Sequence, residues 1–143
     1  MKVFSEYSIL MVDDVPLNLK VVSKMLMPFN FGMRMAGGGR EALEMVMKER
    51  PDIILLDLMM PDIDGYEVLR RLKASPLYSR IRVIVLSALN TNQDIVRAYE
   101  LGAADFITKP IMMDKLINSI DTQITSIERE RAGKPGLKDF ANK

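Results

Sequence analysis

Short apolar runs recur along this chain at intervals of 20 to 30 residues, and helix-like patterns fill the segments between them. There are five such runs, at residues 9–12, 33–36, 53–56, 83–86 and 106–107. Runs of about four apolar residues between polar breakers are typical of buried strands. Strands that alternate with helices build a parallel sheet with helices on both faces. The sequence therefore predicts an α/β fold with a doubly wound, five-stranded parallel sheet. The runs at 9, 53 and 83 are the most apolar and are expected at its centre, and those at 33 and 106 at its edges.

The predicted helices cover residues 17–27, 40–50, 66–74, 92–101 and 112–131. Pro51 ends the second, Thr91 and Asp94 form a capping box for the fourth, and Gly102 follows it at the position that favours a left-handed residue. The isoleucines of the last helix have the 3-4-3 spacing of a short coiled-coil seam: Ile117, Ile120, Ile124 and Ile127. We expect the first two to pack on the sheet, and both interpretations stay open for the last two.

The composition excludes several classes of function. Lys plus Arg is 20 and Asp plus Glu is 19, so no basic excess exists to bind nucleic acid directly. No apolar run approaches the roughly 20 residues of a membrane helix, and the N-terminus lacks signal-peptide features. The absence of Cys fits the cytoplasm. The absence of His excludes imidazole catalysis and leaves oxygen ligands for any metal, which favours Mg²⁺.

Polar residues follow four of the five predicted strands, at the edge where ligands bind in such sheets. They are Asp13, Asp14, Asp57, Ser87 and Lys109. Each has an ordinary explanation when taken alone, as a turn cap, a helix-side hydroxyl or a surface charge. Together they place three carboxylates at one edge, where two charges 4 Å apart repel by about 4 kcal/mol at an effective dielectric of 20. A divalent cation and an ammonium group relieve that repulsion.

Four motifs in this order give the chain its family resemblance: ILMVDD at 9–14, DLMMPDIDG at 57–65, VLSA at 85–88 and GAADFITKP at 102–110. Over residues 5–125 the chain resembles a response-regulator receiver domain of two-component, His-Asp phosphorelay signalling. The resemblance implies a flavodoxin-like strand order 2-1-3-4-5. It also implies a receiver domain over residues 1–125. Residues 126–143 would form a helix extension and a polar tail, with no output domain.

The resemblance implies a role for each residue at the predicted site. Asp57 would be the phosphoacceptor. Asp14, Asp57 and the backbone carbonyl of Met59 would bind Mg²⁺, and Asp13 would reach the ion through water. Lys109 would pair with Asp57 and then with the phosphoryl oxygens.

The remaining residues would form the switch. Ser87 and Ala88 would bind the phosphoryl group, and Phe106 would rotate inward once Ser87 has moved. Pro110, expected after a cis peptide bond, and Gly65 would be structural. The face of helix 4, strand 5 and helix 5 would then pass the signal on.

The implied phosphodonor is a histidine kinase or a histidine phosphotransfer protein, because this chain has no histidine. The receiver of the signal would be a downstream protein or a fused output domain. The chain would act as a monomer or as a phosphorylation-linked dimer, with no contact to a membrane. It would be a switch and not an enzyme.

Three other functions remain as alternatives. One is an aspartyl phosphohydrolase that uses Mg²⁺, which usually needs a second carboxylate where this chain has Met59. Another is a flavin- or nucleotide-binding module, for which the segment after strand 1 lacks a phosphate-binding loop. The last is an atypical receiver that acts only through protein contacts.

For the phosphorylated form, the apolar side chains of Met59 and Leu89 predict slow self-hydrolysis, because they exclude water from the site.

Overall fold

The computed structural model describes residues 3–141, with side chains up to residue 133. Its five strands are Ser8–Val12 (β1), Gly32–Ala36 (β2), Ile53–Leu56 (β3), Arg82–Ser87 (β4) and Asp105–Thr108 (β5). They form one parallel sheet in the order β2-β1-β3-β4-β5. This is the flavodoxin-like order that was predicted, with β2 and β5 at the edges.

The five helices are Pro16–Leu26 (α1), Gly39–Lys48 (α2), Gly65–Ala74 (α3), Asn92–Glu100 (α4) and Met113–Ala141 (α5). The first four lie where the sequence predicted them, with ends shifted by one or two residues. At the end of α2 the Arg34 guanidinium on β2 donates to the carbonyls of Met45 and Glu49, at 3.4 and 2.7 Å. Among the helices at residues 3–141, none combines the length and the apolar character needed to cross a membrane.

The predicted end of α5 at Arg131 is wrong for the backbone, which stays helical to Ala141 despite Gly133 and Pro135. Extending a helix costs less than nucleating one, and Ala, Leu and Lys in this segment favour the helical conformation. The side chains of the predicted polar tail lie outside the described part of the chain from residue 134 onward, as do residues 142 and 143 altogether.

Two apolar cores cover the two faces of the sheet. One contains the inward side chains of α2, α3 and α4, and the other contains those of α1 and α5. Alternate residues of β1 divide between them, with Ile9 and Met11 in one and Leu10 and Val12 in the other. Ile124 and Ile127 are buried in the α1–α5 core, so packing on the sheet and not a coiled-coil seam explains their spacing.

Ion pairs fix α5 near the amino ends of β3 and β4. The acidic residues lie at the opposite, carboxyl ends of the strands. Glu130 pairs with Arg80 and Arg82, each at 3.0 Å, and Arg131 pairs with Asp52 at 3.0 Å. The contacts between α5 and the sheet therefore continue to Arg131, beyond the predicted boundary at residue 125.

The predicted signals at both ends of α4 are confirmed. Thr91 and Asp94 form a reciprocal capping box, in which the Thr91 hydroxyl accepts from the Asp94 amide at 3.1 Å. Gly102 has a φ of 105° after the helix, and the aliphatic stem of Lys73 fills the space where a β-carbon would lie. The ammonium group of Lys73 donates to the carbonyls of Ser79 and Ile81, and burial lowers its pKa to about 8.

Candidate functional site

The acidic residues of the predicted site lie together because β1 and β3 are parallel neighbours. Val12 pairs with Leu56 in the sheet, so Asp13, Asp14 and Asp57 leave it side by side. One carboxylate oxygen of each lies within 4.8 Å of those of the other two. Asp13 and Asp57 are each only 7% exposed. The sheet thus brings three carboxylates into a small, largely buried volume.

Asp13 accepts hydrogen bonds on both of its carboxylate oxygens. The backbone amide of Val15 donates to Oδ1 at 2.9 Å. The side-chain amide of Asn18 and the ammonium of Lys109 both donate to Oδ2, each at 3.1 Å. Asn18 was not among the predicted site residues, since no motif of the sequence pointed to it.

Lys109 reaches the acidic cluster from the loop after β5. Its Nζ lies 3.1 Å from Asp13 Oδ2 and 3.8 Å from Asp57 Oδ2. Its backbone amide donates to the carbonyl of Ser87 at 2.9 Å, and the peptide bond to Pro110 is cis, as the resemblance implied. In this structure the ammonium is therefore shared by two carboxylates and lies nearer to Asp13 than to Asp57.

Asp57 is held by the backbone around it. Its amide donates to the carbonyl of Val12 at 3.0 Å, and the amide of Met59 donates to its Oδ1 at 3.4 Å. Burial raises the pKa of the Asp57 carboxyl above its usual value, and the charge of Asp13 raises it further. The Lys109 ammonium lowers this pKa but does not offset the burial. Ionised Asp57 is thus short of positive charge.

Gly65 lies directly behind Asp57. A β-carbon on Gly65 would lie 2.3 Å from the carbonyl oxygen of Asp57 and 2.6 Å from the Cα of Leu58. The amide of Gly65 donates to the carbonyl of Leu58 at 3.0 Å, which fixes the loop against the start of α3. Glycine is required here by close approach of the backbone.

The other predicted switch residues line up along β4 and β5. Ser87 is fully buried, and its hydroxyl accepts from the amide of Leu89 at 3.1 Å. Ala88 is exposed at the end of β4. Phe106 pairs with Val85 in the sheet and is half-buried against the core beneath α2, α3 and α4.

A cavity of about 280 Å³ opens beside the acidic cluster. Asp13, Asp57 and Lys109 form its polar end, while Leu17 of α1 and Ile111 are among its apolar walls. The carboxylate of Asp57 can therefore be approached from this side, between α1 and the loop that carries Lys109.

The donor set fits a hard divalent cation. Asp13, Asp14 and Asp57 offer only oxygen atoms, and their three negative charges exceed the single positive charge of Lys109, which contacts Asp13 and Asp57. Mg²⁺ prefers carboxylate oxygens and retains several waters, which suits a cluster that is open to a cavity on one side.

The fold and these residues define a class of protein that comparison with known sequences also identifies. Residues 9–121 match the response regulator receiver domain family, and the chain belongs to that family. It is 42% identical over 103 residues to the response regulator PleD of Caulobacter vibrioides, a match that covers 72% of this chain. It is 34% identical over 131 residues, 92% of its length, to the DNA-binding response regulator MtrA of Mycolicibacterium smegmatis.

Among solved structures, the chain is similar to the signal receiver domain of a signal transduction histidine kinase from Syntrophus aciditrophicus. The TM-score is 0.80 at 35% identity, with 86% of this chain and 93% of that domain covered. The matches to PleD and MtrA cover only 23% and 56% of those proteins. The chain thus corresponds to a receiver domain and to only part of these longer relatives.

Proposed function

We propose that this chain is a phosphorylation-operated signalling switch in which Asp57 accepts a phosphoryl group. The observation that carries the proposal is the position of Asp57, which is nearly buried, adjoins two other carboxylates and lies 3.8 Å from the ammonium of Lys109. Phosphoryl transfer depends mainly on positioning and on neutralisation of charge, and this cluster offers both.

The donor in this proposal is a phosphohistidine on a histidine kinase or a histidine phosphotransfer protein. A carboxylate oxygen of Asp57 attacks the phosphorus, and an O–P bond forms as the P–N bond to the imidazole breaks. The electron pair of that bond stays on the imidazole nitrogen, so the product on this chain is an acyl phosphate. The cavity of about 280 Å³ beside Asp57 leaves space for a phosphoryl group next to this carboxylate.

We assign Asp14, Asp57 and the backbone carbonyl of Met59 as the ligands of Mg²⁺, with Asp13 one water away. An Mg²⁺ ion held by these residues would supply positive charge to the phosphoryl oxygens. Lys109 supplies a second positive charge, 3.8 Å from Asp57 Oδ2. Burial raises the pKa of Asp57, which indicates that the ionised carboxylate is stabilised by positively charged partners.

The switch then follows from Ser87 and Phe106. In the proposal, the Ser87 hydroxyl leaves its contact with the Leu89 amide and, with the backbone at Ala88, binds a phosphoryl oxygen. Phe106 rotates toward the space that Ser87 vacates. The face formed by α4, β5 and α5 would change shape, and a downstream protein or a fused output domain would read that change, through a monomer or a phosphorylation-linked dimer in the cytoplasm.

The competing proposal of an aspartyl phosphohydrolase is disfavoured by Met59. That enzyme needs an acid two residues after its nucleophile, and the thioether of Met59 has no proton to donate.

Metal removal tests the proposal. We expect the full chain to gain one phosphoryl group from a small-molecule phosphodonor in the presence of Mg²⁺ and none in excess EDTA, as measured by intact mass. Circular dichroism of the same samples shows whether the fold persists without metal. A folded chain that gains no phosphoryl group with Mg²⁺ would support the atypical receiver that acts by protein contacts, and would overturn the proposal.

Met59 and Leu89 make the acyl phosphate long-lived in this proposal. Both side chains border one groove beside the loop that follows Asp57, and both are apolar. Replacing Met59 by Asn is expected to shorten the lifetime of the acyl phosphate severalfold, because a polar side chain can hold the attacking water. The lifetime is measured by intact mass after removal of the phosphodonor. Decay of the wild-type adduct within seconds would contradict the idea.

A further inference from the structure

Asn18 is a neutral polar side chain in contact with the acidic cluster. It lies in the first turn of α1, is half-buried, and lines the cavity beside Asp57. Its amide nitrogen donates to Asp13 Oδ2 at 3.1 Å. We propose that Asn18 is a positioning residue of the phosphoryl-transfer site, which holds Asp13 in place when Lys109 turns toward the phosphoryl group. This inference rests on the proposed function.

The hydrogen bonds of Asp13 explain why a second donor is needed. A carboxylate has about four acceptor positions, and three are filled here, by Val15, Asn18 and Lys109. The side chain is 9% exposed, so bulk water has little access to replace a lost donor. One acceptor position remains, which suffices for a water bound to a metal ion.

The ammonium of Lys109 lies nearer to Asp13 than to Asp57, at 3.1 Å from Asp13 Oδ2 and 3.8 Å from Asp57 Oδ2. In the proposal it moves away from Asp13 as it approaches the phosphoryl oxygens. Without Asn18, that movement would leave Oδ2 of a buried carboxylate with no donor, which is unfavourable. With Asn18 in place, Oδ2 keeps one hydrogen bond throughout.

A neutral amide suits this role better than a second cation. It donates to Asp13 without adding charge, so it does not compete with Mg²⁺ for the cluster. It also does not weaken the attraction between Lys109 and the phosphoryl group. Removing a partner that orients a direct metal ligand typically changes metal affinity or activity by about 10 to 100-fold, and for Asp13, one water away from the ion, we expect the lower end of that range.

The test compares Asn18→Leu and Asn18→Ala with the wild-type chain. Leu has the branched shape of Asn and no donor, and Ala decides the case if the larger Leu side chain prevents folding. The matched control is Asn118→Leu, the same substitution at an exposed position of α5. Mg²⁺ affinity is measured by titration of amide chemical shifts, and the rate of phosphorylation by intact mass at saturating Mg²⁺.

We expect both Asn18 variants to bind Mg²⁺ about tenfold more weakly and to be phosphorylated more slowly at saturating Mg²⁺, with the control unchanged. A purely structural role would lower the melting temperature and leave the Mg²⁺ affinity of the folded chain as it was. That outcome, or an equal loss in Asn118→Leu, would overturn the inference. If the wild-type chain itself accepts no phosphoryl group, the proposed function fails, whereas unchanged Mg²⁺ affinity in the Asn18 variants counts against Asn18 alone.

Discussion

The Asp57→Asn chain is expected to gain no phosphoryl group under conditions in which the wild-type chain gains one. The amide of Asn has no anionic oxygen to attack phosphorus, so the step that forms the acyl phosphate is lost. The neighbouring carboxylates are poor substitutes, since Asp13 already accepts from Val15, Asn18 and Lys109. Intact mass after incubation with a small-molecule phosphodonor and Mg²⁺ measures the result.

Loss of the adduct cannot be ascribed to unfolding in this case. Burial and the charge of Asp13 raise the pKa of Asp57, so replacing it by a neutral amide removes an unfavourable charge. We therefore expect Asp57→Asn to unfold at no lower urea concentration than the wild-type chain. Asp114→Asn makes the same chemical change at an exposed position of α5 and should leave the adduct unchanged. An adduct that persists on Asp57→Asn would show that another residue is the acceptor.

The sequence predicts the sheet well because the apolar runs and the helical segments between them allow few arrangements of the strands. The runs at β1, β3 and β4 are apolar throughout, and the structure places them at the centre, buried on both faces. In a parallel sheet the carboxyl ends of all strands lie on the same side, so the residues that follow the strands must lie there together. The juxtaposition of Asp13, Asp57 and Lys109 therefore follows from topology, although 96 residues separate the first from the last.

The contacts that the sequence does not predict depend on how elements pack across the fold. Asn18 reaches Asp13 across the short connection between β1 and α1, five residues along the chain, and no motif of the sequence encodes how that connection turns. The division of Lys109 between Asp13 and Asp57 is a matter of a few tenths of an ångström. The hydrogen bonds from Arg34 of β2 to carbonyls at the end of α2 likewise join separate elements.

Gly65→Ala is expected to destabilise the fold by at least about 3 kcal/mol, near the upper end of what overpacking usually costs. The new β-carbon would lie 2.3 Å from the carbonyl oxygen of Asp57 and 2.6 Å from the Cα of Leu58. Both contacts are with backbone, which cannot turn away as a flexible side chain would. The free energy of unfolding is measured by urea titration followed by circular dichroism.

Gly37→Ala is the matched control, because a β-carbon there would have no atom within 4 Å. At such a site, replacing Gly by Ala stabilises a protein by up to about 1 kcal/mol through the unfolded chain. A Gly65→Ala chain as stable as Gly37→Ala would show that the loop can move away from α3 without cost.

Gly65 lies against the backbone of Asp57, so Gly65→Ala is expected to change the position of the Asp57 carboxylate even in chains that remain folded. To accept a methyl group at position 65, the backbone at Asp57 and Leu58 must shift, and the Asp57 carboxylate moves with it relative to Asp13 and Lys109. Phosphoryl transfer is sensitive to such displacements, because positioning supplies much of its rate. The fraction of Gly65→Ala that remains folded should therefore accept a phosphoryl group more slowly than the wild-type chain. Glycine at this position then serves the chemistry of Asp57 as well as the start of α3.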